Sequence, residues 1–306
     1  MRRSSLALAA LLASLALSAS LAGCFGVGAD HERLGDEALA RSDASAGMAE
    51  YQAAIATRGS AQLYAKLAAA ALRARHLREA AEAYRDLVAD DPSRLDEAAT
   101  GLELVAESAE HTNDAAGLAA AVTALRDIAP DRLASRHALT LVRLGGLTPA
   151  ELVAVLPYAL AAAPDAGVTD SLLVTYGTAL RETTACAEAM PAFSAARRRS
   201  HDRRLGDLAR GGLAACGLQL GQEALSANDP FTADRWFTVA VGADSTGLVG
   251  RRARLALGDL RRAQGDILGA ALAYQSIVAV SASDSLGRVA RERLDVLGAA
   301  VPDSTR

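Results

Sequence analysis

Residues 61–94 read AQLYAKLAAAALRARHLREAAEAYRDLVADDPSR, and this stretch decides the fold. Its apolar residues recur at spacings of three and four, which is typical of amphipathic helices. Pro92 follows the second apolar segment, where a proline ends a helix because it cannot continue the hydrogen-bond ladder. The stretch therefore predicts two helices joined by a short turn.

The small and aromatic residues of this stretch return elsewhere in the chain at nearly the same spacing. Within residues 61–94 they are Leu67-Ala68, Ala80 and Tyr84. The other occurrences are Leu34-Gly35, Gly47 and Tyr51; Tyr176-Gly177, Ala189 and Phe193; Leu220-Gly221, Ala233 and Phe237; and Leu257-Gly258, Ala270 and Tyr274. Small residues let two helices approach closely, and the aromatic side chain fills the space between one helix pair and the next. The pattern predicts a stack of helix pairs.

This spacing resembles the tetratricopeptide repeat (TPR), whose signature combines a Leu-Gly pair, a later small residue, an aromatic residue four positions on and a closing proline. The resemblance covers nearly all of residues 30–285. It implies an all-α, TPR-like solenoid of about seven helix–turn–helix units within residues 31–300. It also implies a scaffold for protein–protein interaction, whose first helices line a concave groove that holds a partner.

The repeat is irregular over residues 95–165, where the unit length drifts and the aromatic residue is lost. Thr148-Pro149 predicts the start of a helix. Pro157 is expected to kink or end that helix because its ring clashes with the preceding turn. We therefore expect a bend within residues 95–165, which would divide the solenoid into two arms.

The start of the chain has the pattern of an export signal. Met1-Arg2-Arg3 is basic, and the apolar run from Leu6 to Ala19 is too short to span a membrane. Leu21-Ala22-Gly23-Cys24 resembles the lipobox of bacterial lipoproteins. The resemblance implies that residues 1–23 are removed, that Cys24 carries acyl chains such as palmitate, and that residues 24–30 form a short tether. An ordinary cleaved signal with a chance cysteine remains the alternative.

The lipobox implies a lipid-anchored protein of the bacterial cell envelope. Phe25, rather than an aspartate, follows the lipidated cysteine, which favours the outer membrane and a position facing the periplasm. In architecture the chain is similar to the TPR lipoproteins of the outer-membrane β-barrel assembly machine, and pilotin-type lipoproteins fit as well. The expected partners are therefore other envelope proteins, bound by the concave TPR face, and the membrane, bound by the lipid anchor.

Cys186 and Cys216 are free to pair in an oxidising compartment if Cys24 carries lipid. They lie thirty residues apart and symmetrically about residue 201, where a turn between two helices is expected. In an antiparallel hairpin the two thiols would sit level and could form a disulfide. The alternative is two small buried residues that never meet.

Motifs for catalysis or metal binding are absent from the sequence. The five histidines lack metal-site spacing, and there is no Cys-x-x-Cys, no Gly-rich phosphate loop and no Gly-x-Ser-x-Gly elbow. We therefore expect no catalytic residue, no metal and no cofactor. Without Arg2 and Arg3 the chain has 30 basic and 36 acidic side chains, a net charge of −6, which argues against a nucleic-acid partner. Two alternatives to a scaffold stay open: a helical protein that binds a small ligand or acts on peptidoglycan, and a passive spacer.

Two sets of polar residues are candidates for partner binding. Helix phase places the first set in the groove: Gln62, Arg73, Arg181, Gln222, Asp259 and Arg262. The second set lies around a turn: Arg197, Arg198, Arg199, Arg203 and Arg204. These arginines could form an anion site for phospholipid heads, lipopolysaccharide or an acidic partner. Alternatively, they offset the dipole of a helix C-terminus and keep the turn solvated. The polar tail, residues 301–306, is expected to be frayed.

Overall fold

The structure, a computed structural model, describes residues 28–300, which form fifteen α-helices and contain no β-strand. Residues 1–23, Cys24 and the tail 301–306 lie outside the described residues. Of the expected tether, residues 28–30 already belong to the first described helix. No helix in the described part of the chain combines the length and the apolar character needed to cross a membrane.

The chain divides into two compact units between Gly146 and Leu147. The boundary lies within residues 95–165, where the sequence predicts an irregularity. It also falls between the helices Ser135–Leu144 and Pro149–Ala161, so these two helices belong to different units.

The first unit contains seven helices. They are α1 (28–40), α2 (Ala44–Thr57), α3 (Ala61–Arg73), α4 (Leu77–Asp90), α5 (Leu95–Thr112), α6 (Ala115–Ile128) and α7 (Ser135–Leu144). Short 3₁₀ turns at Pro92–Arg94 and Pro130–Arg132 follow α4 and α6. Neighbouring helices along the chain pack on each other, and α3 contacts α5 while α4 contacts α6. Successive pairs therefore form two layers of helices.

The second unit contains eight helices. They are α8 (Pro149–Ala161), α9 (Ala166–Glu182), α10 (Cys186–Arg199), α11 (Arg203–Ser226), α12 (Pro230–Ala243), α13 (Leu248–Ala263), α14 (Ile267–Val280) and α15 (Ser285–Ala300). Besides contacts between sequence neighbours, α9 contacts α11, α11 contacts α13, and α13 contacts α15. The first helices of successive pairs thus pack side by side. The predicted all-α, TPR-like stack of helix pairs is confirmed within each unit.

Aromatic side chains pack on glycines as the repeat predicts. A Cβ atom on Gly35 would lie 2.5 Å from the Tyr51 ring, and one on Gly258 would lie 2.6 Å from the Tyr274 ring. The rings of Phe193 and Phe237 fill the equivalent space above the first helix of their own pairs. All four aromatic residues are almost fully buried. A side chain at these glycines would therefore push the two helices of a pair apart.

The turns inside the helix pairs share one backbone geometry. A residue just before each second helix has φ between 52° and 84°, the left-handed region. These residues are Ser42, Arg75, Asn113, Thr184, Asn228 and Gly265. The recurrence gives independent support for the repeat, because non-glycine residues adopt this conformation only where the surrounding structure requires it.

The two prolines of α8 behave differently. Pro149 opens the helix as predicted, and Thr148 forms a capping box with Glu151, in which the Thr148 hydroxyl accepts from the Glu151 amide at 3.3 Å. Pro157, however, lies inside the helix, which continues to Ala161. Of the two outcomes expected for Pro157, a kink or the end of the helix, the structure contradicts the second. The remaining backbone hydrogen bonds and the packing on α9 keep this segment helical.

Candidate functional site

An open cleft of about 810 Å³ lies between α9, α10 and α11 in the second unit. Its size is in the range of clefts that bind small-molecule ligands. The residues that line it are Thr178, Arg181, Phe193, Asp202, Arg203, Arg204, Asp207, Leu208, Gly211 and Gly212.

One wall of the cleft is the first part of α11. Asp202 caps this helix, because its carboxylate accepts a hydrogen bond of 2.7 Å from the Arg204 amide. The helical period then places Arg204, Leu208 and Gly211 on one face, at spacings of four and three residues. The cap thus fixes where α11 begins.

The floor of the cleft is formed by a buried apolar side chain. Phe193 lies under it with 1% of its surface exposed, and its ring packs on the glycine main chain of Gly177 and Gly212. Leu208 stands beside the floor with 51% of its surface exposed. Gly211 adds no side chain, so the main chain of α11 is accessible there.

In the cleft the acidic side chains have intramolecular partners, whereas two of the arginines have no ion pair within the described part of the chain. Asp207 forms an ion pair with Arg210, and Asp202 is engaged in the helix cap. Arg181 lies 3.9 Å from Glu182 at the protein surface. Among the described residues, Arg203 and Arg204 have no ion pair, and both are exposed. The cleft therefore presents cationic groups that can bind an anion.

The structure brings together residues from both sets of sequence candidates. Arg181 belongs to the predicted groove, whereas Arg203 and Arg204 belong to the predicted anion patch, and all three line the same cleft. Arg197 and Arg198 are exposed on α10 and do not line it.

Arg199, the remaining member of the predicted anion patch, has a structural contact instead. Its Nε atom lies 3.3 Å from Oδ1 of Asp170, whose side chain is only 5% exposed. A buried carboxylate requires a hydrogen-bonded partner, and Arg199 supplies one. Arg199 itself stays exposed, but its guanidinium is engaged by Asp170 and is therefore less available to an external anion.

The other groove candidates do not share the cleft. Gln62 and Arg73 are exposed on α3 in the first unit, while Gln222 is exposed on α11 and Arg262 on α13. Asp259, also on α13, accepts a hydrogen bond of 2.7 Å from the Tyr274 hydroxyl and lies 3.1 Å from Arg293 Nε. It therefore has intramolecular partners.

The same tyrosine–aspartate contact occurs in the first unit. Tyr51 donates a 2.7 Å hydrogen bond to Asp36, which also accepts from Lys66 Nζ at 2.8 Å. In both cases the aspartate directly follows the glycine on which the tyrosine ring packs, at Gly35-Asp36 and Gly258-Asp259. Where the aromatic residue is Phe193 or Phe237, the equivalent positions hold Thr178 and Gln222. The Gly-Asp pair preceding a tyrosine was a signal in the sequence that could have revealed this contact.

These contacts shift the pKa values of the groups involved. Burial, together with the hydrogen bond to Asp259 and the negative charge of that carboxylate, raises the pKa of Tyr274 to about 12. Burial and the contact with Asp36 raise the pKa of Tyr51 in the same way. Burial acts to raise the pKa of Asp36, but the hydrogen bonds from Lys66 and Tyr51 outweigh it and lower that pKa.

Cys186 and Cys216 form a disulfide in the structure, with their Cα atoms 5.1 Å apart. The bond joins the first turn of α10 to the middle of α11, one helical turn beyond Gly212. The turn between these helices covers residues 200–202, about midway between the two cysteines. The disulfide thus links two of the three helices that line the cleft.

Among the described residues there is no group of three or more His, Cys, Asp or Glu side chains that could hold a metal ion. The tyrosine–aspartate contacts sit within helix pairs rather than in the cleft. The side chains that line the cleft can form ion pairs, hydrogen bonds and apolar contacts.

Comparisons with known proteins find only distant structural similarity. No protein-family model matches the chain, and no curated protein matches it. Among solved structures it is similar to the C-terminal part of a TPR repeat-containing protein from Cytophaga hutchinsonii, with 10% identity over 86% of this chain and 87% of that one and a TM-score of 0.31. It is also similar to PilW, described as a widely conserved type IV pilus biogenesis factor, with 16% identity over 75% and 97% of the two chains and a TM-score of 0.30.

A third similar structure is the TPR2AB domain of yeast Sti1 in complex with pHSP90, with 13% identity over 89% of this chain and 97% of that one and a TM-score of 0.30. At such TM-scores the likeness carries no argument about function. The TPR-like fold is therefore argued from the packing of this chain's own helix pairs.

Proposed function

We propose that this protein is a lipid-anchored adaptor of the bacterial cell envelope that binds other envelope proteins through the cleft between α9, α10 and α11. The observation that carries the proposal is the pairing of charges in the cleft: Arg203 and Arg204 have no ion pair among the described residues, whereas the acidic side chains beside them already have partners. Unpaired cations next to the exposed Leu208 suit a partner that is both acidic and apolar.

Two features support the envelope location. The lipobox Leu21-Ala22-Gly23-Cys24 follows a basic start and a short apolar run, which is the pattern of a lipoprotein signal. The disulfide between Cys186 and Cys216 suits an oxidising compartment such as the periplasm. In this proposal the anchor holds the protein at the outer membrane, where it assists the assembly of envelope proteins.

The anchor is tested by Cys24→Ala in the producing bacterium. We expect wild-type protein to incorporate labelled palmitate and to sediment with membranes, and the variant to lose the label and to appear in the soluble fraction. Separation of inner and outer membranes on a density gradient then locates the wild-type protein. Equal labelling of wild type and variant would refute the assignment of Cys24 as the lipidated residue.

The adaptor role is tested by cross-linking in intact cells, followed by purification and quantitative mass spectrometry. Arg203→Glu/Arg204→Glu reverses the two unpaired charges of the cleft. Arg197→Glu/Arg198→Glu is the matched control, because it makes the same charge change at two exposed arginines outside the cleft. We expect a reproducible set of envelope proteins with wild type and control, and its loss with the cleft variant.

The remaining outcomes distinguish the alternatives. If wild type captures no reproducible protein, the adaptor proposal fails and a ligand-binding or spacer role gains support. If both charge reversals lose the partners equally, the cleft is not the binding site.

A further inference from the structure

We infer that the second unit carries a self-association surface, which pairs with the same surface on a second copy of this chain. We call this surface the apolar edge, and it consists of six exposed side chains: Leu225, Phe231, Ile267, Leu268, Leu272 and Val296. None of the six lines the cleft between α9, α10 and α11, so the edge and the cleft can be tested separately.

Exposed large apolar side chains are concentrated in the last third of the chain. Twelve such side chains occur among the described residues, and nine of them lie between Leu225 and Val296. Phe231 and Leu268 are the most exposed of all, with 74% and 72% of their surfaces open to solvent. Single exposed apolar residues are common in soluble proteins, but a group of them marks an interaction surface.

The topology of the second unit brings the six side chains to one edge. Short turns join the helices from α11 to α15, so each helix is antiparallel to the next. Because α11, α13 and α15 pack side by side, the carboxyl ends of these helices lie at the same edge as the amino ends of α12 and α14. The last two turns of α11 and α15 and the first two turns of α12 and α14 hold the six residues of the apolar edge.

Equivalent positions in other helix pairs lack these large apolar side chains. Phe231 and Leu268 each precede the buried aromatic residue of their own pair by six positions. The same position is exposed in three other pairs, where it holds Ser45, Arg78 and Ala187. A position that is small or charged elsewhere, and large and apolar only in two adjacent pairs, indicates a surface that another molecule covers.

The exposed apolar area is sufficient for a homodimer. The six side chains expose between 39% and 74% of their surfaces. With about 150–200 Å² for each whole side chain, these fractions leave about 500–650 Å² of apolar surface. A standard interface buries about 800 Å² of each partner, of which about 65%, or roughly 500 Å², is apolar in homodimers. Packed helices lie about 8–10 Å apart, so the whole edge fits within one interface of this size.

The charges beside the edge permit contact between two identical surfaces. A two-fold contact places the same patch of both copies face to face, so a charged patch would bring like charges together. Helix α14, which supplies three of the six side chains, contains no charged residue. Asp229 and Asp266 are engaged as helix caps, because each carboxylate accepts a hydrogen bond from a backbone amide in the first turn of its own helix.

A lipid bilayer fits the apolar edge less well than a second copy does. Asp229 and Asp266 lie in the same turns that precede Phe231 and Leu268, and the anionic head groups of a membrane would repel their carboxylates. The second copy is therefore the occupant that agrees with both the area and the charge of the edge.

The test uses the mature chain with Cys24→Ala, so that no lipid drives association. Sedimentation velocity measures its mass between about 1 and 100 µM. We expect a reversible dimer with a dissociation constant on the order of micromolar, as for an interface of standard size without strong charge pairing.

Phe231→Glu/Leu268→Glu is the decisive variant. Association should weaken at least about 100-fold, because two carboxylates per copy would be buried in an apolar interface. The matched control is Leu104→Glu/Leu248→Glu, which makes the same charge change at two exposed leucines outside the edge and should leave the dimer intact. Phe231→Ala/Leu268→Ala removes apolar area without adding charge and should weaken association by about tenfold or more. Circular dichroism should be the same for all three variants, since the replaced side chains are exposed.

Three results would overturn the inference. A chain that stays monomeric up to 100 µM would show that the edge does not bind its own copy. Equal loss of the dimer in the edge variant and in the control would place the interface elsewhere. Flotation of a monomeric chain with vesicles of phosphatidylglycerol and phosphatidylcholine, abolished by Phe231→Ala/Leu268→Ala, would assign the edge to the bilayer. The adaptor function is judged separately, by the cross-linking result for Arg203 and Arg204.

Discussion

The ring of Phe193 packs on the main chain of Gly212 so closely that a Cβ atom on Gly212 would overlap it. Phe193 is 1% exposed and also packs on Gly177, so its ring is held between α9 and α11. This contact fixes the floor of the cleft. At the preceding residue, Gly211, an added Cβ atom would meet no atom within 4 Å.

The two neighbouring glycines should therefore respond to alanine in opposite ways. We expect Gly212→Ala to lower the free energy of unfolding by about 1–3 kcal/mol, because the buried ring must shift. Gly211→Ala should raise it by about 0.5–1 kcal/mol through helix propensity alone. Urea denaturation measures both values, and a shift of the same sign in the two variants would contradict the packing described.

The hydroxyl of Tyr274 should make stability depend on alkaline pH. Its pKa in the folded protein is about 12, above the usual value of about 10, because the group is buried and donates to Asp259. A raised pKa means that this stabilisation is complete below pH 10 and is lost as the pH rises through 12. The ultraviolet difference between wild type and Tyr274→Phe should show one phenol titrating near pH 12; titration near pH 10 would contradict the contact.

The disulfide should be present in exported protein. Reduction is expected to increase the mass by two hydrogens and to lower the free energy of unfolding by about 3–4 kcal/mol, the value for a loop of about 30 residues in the chain-entropy model. Intact mass and peptide mapping with and without reductant measure the bond between Cys186 and Cys216. Alkylatable thiols at both positions in unreduced exported protein would show that the two residues do not pair.

Arg199 should matter for stability more than its neighbours on α10. Arg199→Ala leaves the buried carboxylate of Asp170 without its cation, and we expect a loss of about 1–3 kcal/mol. Arg198→Ala, at an exposed site, should change stability by less than about 0.5 kcal/mol. Adding Asp170→Asn to Arg199→Ala should recover part of the loss, since no charge then remains buried. Equal effects of the two single variants would argue against the pair.

Thr184 occupies a turn position that favours glycine. Its φ is 63°, and a β-branched residue is strained in this region. Thr184→Gly should therefore stabilise the protein by about 1 kcal/mol. Thr183→Gly, at the preceding residue with φ of −88°, is the control and should destabilise it. Thermal unfolding distinguishes the two, and destabilisation by Thr184→Gly would indicate a different turn.

Most of the fold was predictable because its signals are local in the sequence. The periodicity of apolar residues indicates helices, and the recurring spacing of Gly35 with Tyr51 and of Gly258 with Tyr274 indicates helix pairs. Thr148-Pro149 marked a helix start, which the capping box confirms. Pro157 does not end its helix, because the packing of α8 on α9 outweighs the local preference of proline.

The sequence by itself determined the all-α repeat, since its signals lie close together along the chain, whereas lipid attachment at Cys24 stays a prediction from the sequence. Only the tertiary structure decided which cations share a surface. Arg181 on α9 lines the same cleft as Arg203 and Arg204 on α11, whereas Arg199 forms a hydrogen bond with the buried Asp170. It also decided the roles of Gly211 and Gly212, which are adjacent in sequence but point about 100° apart around α11. Packing on Phe193 sets the rotation of α11 about its own axis, and the pattern of residues along the chain does not specify that rotation.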